Sequence, residues 1–147
     1  MQIPDGYYAI LIRKGPNEIW VKFPEHSNII TWGETWEEAE KSAWEALNGC
    51  LESDLTRGFV LPAAHKVKAA RGERVVFVPL QPEVRTAYLL RAWREAAHMT
   101  QAAVAERAGM PLPSYQRMEK PGRANLTVKS LEKVAAALGK RLVLELA

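Results

Sequence analysis

Cysteine is almost missing from this chain. Cys50 stands alone among 147 residues, which excludes an internal disulfide and any cysteine-based zinc cage. Long apolar runs are missing as well. The uninterrupted ones are only a few residues long, as in residues 75–80, far short of the ~20 apolar residues of a membrane span. The N-terminus shows no signal-peptide pattern, and with so little cysteine a reducing cytoplasm is the expected compartment. His26, His65 and His98 are scattered without metal-ligand spacing, and there is no glycine-rich phosphate loop. Neither a metal nor a cofactor is expected. No internal repeat or low-complexity tract is visible. What is present, 48% hydrophobic and 25% charged residues, can fold and bury a core, and the length suits one ordinary domain or two small ones.

The net charge of +3 decides little, but its distribution is uneven. Residues 1–55 carry four basic side chains (Arg13, Lys14, Lys22, Lys41) against ten acidic ones. Residues 56–79 carry five against one, and residues 80–147 eleven against six. An acidic part joined to a basic remainder suggests two partners of opposite charge. Two solvated surfaces without a message would carry the same pattern.

Hydrophobic periodicity divides the chain in the same place. Residues 7–13 and 18–23 are β-rich runs split by Lys14, Gly15, Pro16 and Asn17, which reads as a hairpin. Residues 28–32 offer a third strand ending at Gly33. Thr35 then caps a helix and Glu38 can reach back, a capping box. Trp36, Ala39, Ala43, Ala46, Leu47 and Leu51 form the apolar face of that helix, with Glu37, Glu40, Lys41 and Glu45 opposite. Trp44, like Trp93 further on, sits at core spacing. Residues 58–61 are a candidate extra strand, residues 62–74 a polar, basic connector, and residues 74–79 a last strand. The fold class expected is α+β: a small antiparallel sheet plus helix over residues 1–80, then an all-α unit with a C-terminal strand over residues 81–147.

In the second unit one helix covers residues 83–97, with Leu90, Trp93 and Ala97 inward. Thr100 caps a second helix that stops at Gly109, where a left-handed residue is needed. A third short helix covers residues 113–119, and Thr127 caps a fourth that ends at Gly139. Val104, Met110, Tyr115, Met118, Leu131, Val134 and Leu138 form the expected core, which turns Leu112, Ser114, Gln116 and Arg117 outward. A helix, a tight turn and a short helix at this spacing read as helix-turn-helix. The Thr100-Gln101 opening, the Ala105 and Gly109 spacing and the Arg117-x-Glu119 close make residues 83–139 resemble the repressor-type (lambda-repressor-like, XRE-like) helix-turn-helix family. The resemblance implies operator DNA as a partner, with Gln101 facing a phosphate and Lys120, Arg123 and Asn125 touching the backbone. Gln116 suits adenine, and Arg117 suits guanine or a phosphate. Leu112 stands where the family usually has a polar residue, and Pro111 replaces its usual Ser or Thr cap. Residues 141–147 alternate like a strand. Leu142, Leu144 and Leu146 are the expected contacts of a homodimer or higher homo-oligomer; addition of this strand to the first sheet is the rival.

The first unit resembles the HicB antitoxin family. The residues that carry this are Phe23-Pro24-Glu25, Thr31-x-Gly33-Glu34-Thr35, Glu37-Glu38-Ala39, Ala43 and Ala46-Leu47, followed by RVVFVPLQPE and the helix-turn-helix. The family's Leu-Pro-Gly-Cys loop is His26-Ser27-Asn28-Ile29 here. The resemblance implies a partly degraded ribonuclease-H-like fold and a partner of HicA type, a small basic ribonuclease toxin. It places toxin contacts at Pro24, Glu25, His26, Asn28 and Glu34; Trp32, beside Gly33, joins them as an aromatic anchor. Catalysis by this chain is not expected, because Glu25 and Glu34 are the only loop carboxylates of this motif and the others lie on an outward helix face. The alternative function is a transcriptional repressor whose first unit senses a small molecule. No membrane partner is expected.

Overall fold

The computed structural model describes residues 3–123 and 125–146. They divide between Arg85 and Thr86 into two compact units. In chain order the elements are β1 (Gly6–Gly15), β2 (Glu18–Lys22), β3 (Thr31–Gly33), α1 (Trp36–Thr56), β4 (Glu73–Pro79), α2 (Pro82–Ala96), α3 (Gln101–Ala108), α4 (Leu112–Met118) and α5 (Val128–Ala137).

In the first unit β1 and β2 form the expected hairpin, with a register irregularity between Arg13 and Gly15. β3 pairs with β2 and β4 with β1, all antiparallel, giving the order β3-β2-β1-β4. Period-two alternation points Tyr7, Ala9 and Leu11 of β1 and Ile19 and Val21 of β2 into the core. The apolar stripe of α1 meets them there. Ala39, Ala43, Leu47, Leu51 and Leu55 recur every four residues and are buried. Each buried leucine contributes roughly 1.5–3 kcal/mol. Helix and sheet approach closely at Gly33, where an added Cβ would run into the Ala39 backbone. Two cations, Arg74 at 4.0 Å and Arg13 at 5.2 Å, lie over the Trp36 ring and fasten β4 and β1 to the start of α1.

The helix start is capped as read, with one change. The Thr35 hydroxyl accepts from the Glu38 N–H at 3.1 Å, but the Glu38 carboxylate accepts from the Glu34 N–H, one residue further out than a capping box requires. The third strand is shorter than expected. The His26 N–H bonds the Phe23 carbonyl and the Ile29 N–H bonds the His26 carbonyl, so two successive turns use this backbone before a ladder can begin. Residues 58–61 form no strand, and Phe59 and Val60 are exposed. The connector is tied at two points: the Tyr7 hydroxyl donates to the Pro62 carbonyl at 2.6 Å, and the His65 N–H donates to Glu25 Oε1 at 2.9 Å. Asn48 is buried in α1. Its amide donates to the Trp44 and Pro79 carbonyls and its oxygen accepts from the Gln81 N–H, satisfying backbone groups where β4 gives way to α2. Trp44 is not a core residue. It is 39% exposed, because the helix face that meets the sheet is occupied by Ala43, Leu47 and Asn48.

In the second unit Leu90, Val104, Ala105, Ala108, Tyr115, Met118, Val134 and Ala137 form the core, with Met110, Leu126, Leu131 and Leu138 packed against it. Trp93 is half-buried and Ala97 exposed, so Leu90 alone represents the expected inward trio in the core. Three helices end alike. His98, Gly109 and Gly139 take left-handed conformations (φ 54°, 66° and 70°), each followed by a backbone bond back to the last helical turn. The capping box at Thr127 is complete, with Ser130 as its reciprocal partner. Residues 141–146 are not a strand within the chain, and the sheet of the first unit does not include them. A strand needs a neighbouring backbone, and none is paired with this segment here. Leu142 is half-buried, Leu144 exposed, and Leu146 100% exposed. Among the described residues no helix is long and apolar enough to cross a membrane.

His26 lies in the core of the first unit and not on the loop surface expected for it. Its ring meets Tyr7 edge-on at 4.4 Å, and its Nε2 is buried without a hydrogen bond. Burial holds its pKa below the ordinary 6.5, against the opposing pull of Glu25 and Asp54. The unfolded chain therefore binds this proton more readily than the folded one, and stability rises with pH across the interval between the two values. Neutral His26 supports the fold fully above about pH 6.5, and that support is lost as pH falls toward the folded value. Denaturation midpoints should thus drop between about pH 7.5 and about pH 5.5. His26→Phe, which keeps the ring contact with Tyr7, should flatten the difference; an unchanged slope in that variant contradicts the assignment.

Candidate nucleic-acid interface

The second unit builds its outward surface from local rules. The Thr100 hydroxyl caps α3 by accepting from the Ala103 N–H at 3.1 Å. Gly109 turns the chain, the Met110 N–H returns to the Ala105 carbonyl, and Pro111 opens α4 without a side-chain cap, its ring fixing φ at −61°. Tyr115 and Met118 anchor the inner side of α4. That leaves Leu112 and Arg117 exposed and Ser114 and Gln116 half-buried on the other side, as the pattern predicts.

Beneath this surface lies an ion pair that spacing did not reveal. Glu119 is only 6% exposed. Arg94, from α2, donates to both its carboxylate oxygens, at 2.7 and 2.9 Å, and to the Met99 carbonyl at 3.1 Å. The hydrogen bonds it donates to Glu119 hold Arg94 still more firmly in its charged form, in opposition to its desolvation. Burial, aided by the Glu119 carboxylate, pushes the Tyr115 phenol far above its usual range, so it stays neutral. The network reaches the surface through two amides. Gln101 donates to Glu119 Oε1 at 3.3 Å, and Gln116 donates to Gln101 Oε1 at 3.4 Å. The structure thus joins two residues that the sequence singled out separately.

Four others share a surface concavity. Ser114, Arg117, Arg123 and Asn125 line it together with Lys129 and Lys133, with no acidic residue in the lining. The two lysines were missed in the sequence, although their spacing of four puts them on one side of α5. Leu112, Gln116, Lys120 and Gln101 lie outside the concavity, and Lys120 is exposed just after α4.

Residues 90–144 match the helix-turn-helix family model. This segment is a helix-turn-helix domain. No curated protein matches the chain. Among solved structures it is similar to the crystal structure of the antitoxin HicB of Burkholderia pseudomallei, at 16% identity over 72% of this chain and 94% of that one, with a TM-score of 0.49. In the helix-turn-helix domain α3 and α4 are the two helices of the motif and Gly109 is its turn.

The residues singled out in the first unit do not form one patch. Pro24 and Asn28 are exposed, and the Asn28 amide lies 3.5 Å from Cys50 Sγ. Glu25 turns inward: its side chain is largely buried and holds the His65 N–H, with His65 Nδ1 at 3.3 Å. With His26 in the core, this pair belongs to the frame of the fold. Trp32, 49% exposed, and Glu34 line one concavity with Glu38, Lys41 and Glu45. Among the described residues no three His, Cys, Asp or Glu side chains are grouped to hold a metal ion.

Removing the Glu119 carboxylate leaves the Arg94 guanidinium buried and unpaired. Glu119→Ala should therefore destabilise the protein by about 3–5 kcal/mol in denaturant titrations. A loss below about 1 kcal/mol, as for an exposed pair, would contradict the burial described.

Proposed function

We propose that this protein is an antitoxin of a type II toxin–antitoxin system. Its helix-turn-helix domain binds operator DNA and represses its own operon, and its first unit binds and blocks a small basic ribonuclease of HicA type. The observation that carries the DNA half is the match of residues 90–144 to the helix-turn-helix family, with four cations and no acid lining the concavity beside α4. Gln116 reads a base, Gln101 steadies its amide and meets a phosphate, and Arg117, Lys120, Arg123 and Asn125 hold the DNA backbone. Ser114 and Leu112 complete the reading surface. Leu142, Leu144 and Leu146 pair two copies, because one domain of this kind reads only a few base pairs and two-fold dimers read two half-sites. The exposure of Leu144 and Leu146 in the single chain supports that role. The toxin half rests on the resemblance to the HicB family over residues 23–52 and on the acidity of residues 1–55, which suits a ribonuclease surface made positive for RNA. Trp32 and Glu34 are its contacts, with Pro24 and Asn28 at the neighbouring turns.

Two experiments test this. Gln116→Ala should weaken cognate operator binding by about 1–3 kcal/mol and relax preference at one base position, whereas Arg123→Ala should weaken cognate and random DNA alike. Unchanged sequence preference in Gln116→Ala would show that α4 is not the reading helix. Co-expression with the product of a neighbouring short reading frame of basic composition should give a complex and restore growth. Failure to capture it, in a protein that still binds its operator, removes the toxin half alone.

A further inference from the structure

Trp44 leaves its ring at the surface of the first unit. Phe77, across a concavity from it, is 44% exposed. Glu37, Glu40, Lys41 and Trp44 stand at i, i+3, i+4 and i+7 and so share one side of α1, which faces the end of β4 at Phe77 and Pro79. β4 is the edge of the sheet, and among the described residues no further strand lies beyond it. A second concavity flanks α1 on its other side. Trp32 and Glu34 line it with Glu38 and Glu45, and Lys41 lines both, standing between them. Each concavity therefore joins an exposed tryptophan to carboxylates, three in one and two in the other, against one shared cation. Among the described residues the side chains of Glu37, Glu40, Lys41 and Trp44 have no hydrogen bond, ion pair or ring partner. Other rings of this unit do. An arginine of the chain itself lies over Trp36, at 4.0 Å, and over Phe59, at 5.2 Å. Tryptophan is among the side chains most enriched at the energetic centres of protein interfaces.

We propose that the concavity between α1 and β4 seats a lysine or arginine side chain of the same basic protein that meets Trp32, so that this partner straddles α1. The inference rests on the toxin-binding reading given above. A long cationic side chain matches both the walls and the rim. Its methylene stem packs on Trp44, Phe77 and Pro79, and its head lies over the indole within reach of the Glu37 and Glu40 carboxylates. The same carboxylates repel a nucleic acid. A metal ion would find only two of them there, and the described residues contain no group of three ligands. Engaging both flanks of α1 gives the partner two tryptophan anchors in place of one. It also sets five carboxylates against the partner's cations, with Lys41 the one opposing charge.

The test is calorimetric titration of the full-length protein with the basic product of the neighbouring short reading frame, at low and at high salt. Trp44→Ala should raise the dissociation constant about thirtyfold. Glu37→Gln combined with Glu40→Gln should raise it about fivefold at low salt and less at high salt, where the charges are screened. Glu52→Gln, at an exposed carboxylate of α1 outside both concavities, should leave it within about twofold. The paired glutamine change removes no contact within the chain, so it decides the matter if Trp44→Ala does not fold. Unmodified affinity in a folded Trp44→Ala or in the glutamine pair overturns the proposal. An effect of Glu52→Gln as large as that of the glutamine pair reduces the acids to diffuse steering and overturns it too. If Trp32→Ala weakens binding in the same assay while Trp44→Ala does not, the toxin reading stands and the straddling contact falls. An unmodified protein that does not bind the product removes that reading, and this inference with it.

Discussion

Arg94 and Glu119 are twenty-five positions apart and almost out of water, and the second unit is organised around their contact. The guanidinium reaches both oxygens of the carboxylate and also the Met99 carbonyl. One cation thereby fixes α2, the turn into α3 and the end of α4. Such a pair gains little net stability over an apolar replacement, because desolvation offsets most of the attraction. Its worth lies in direction. The carboxylate aimed by Arg94 holds the Gln101 amide, and Gln101 holds Gln116, so the Gln116 side chain on the outer side of α4 is oriented from within the core. The Leu90, Val104, Tyr115 and Val134 cluster supplies the cohesion that the ion pair does not.

The two units divide the charge of the molecule. On the first, exposed carboxylates run along α1, and Trp32 lies in a concavity beside them. On the second, Arg117, Arg123, Lys129 and Lys133 surround a concavity without an acid. A surface of one sign repels the wrong polyion as effectively as it attracts the right one.

Features written within a few residues were legible in the sequence. The hairpin at Pro16 and Asn17, the caps at Thr35, Thr100 and Thr127 and the stops at Gly109 and Gly139 all depend on local backbone chemistry, and each is where the pattern puts it. What escaped depends on distant partners. Helical spacing placed Trp44 in the core, but a helix stripe wide enough to include both Ala43 and Trp44 does not say which of them meets the sheet. His26 looked like a loop residue until Tyr7 closed over its ring. Glu119 was visible as part of a motif, yet nothing local named Arg94 as its partner. His98 ends α2 in a left-handed conformation more often given to glycine, so its stop carried no signal. The alternation of residues 141–147 suggested a strand, but residues 141–146 form none within this chain, because a strand is a property of two backbones and alternation in one sequence does not supply the second.

The buried pair directs the Gln101 and Gln116 amides more than it stabilises the fold. The most direct test replaces both partners at once, Arg94→Met with Glu119→Leu, and measures stability and operator preference in the same protein. Stability should stay within about 2 kcal/mol of the unmodified chain, since two apolar groups of similar size refill the site, while discrimination at the base position proposed for Gln116 should be lost. Retention of that discrimination, with Gln101 no longer held by a carboxylate, would contradict it.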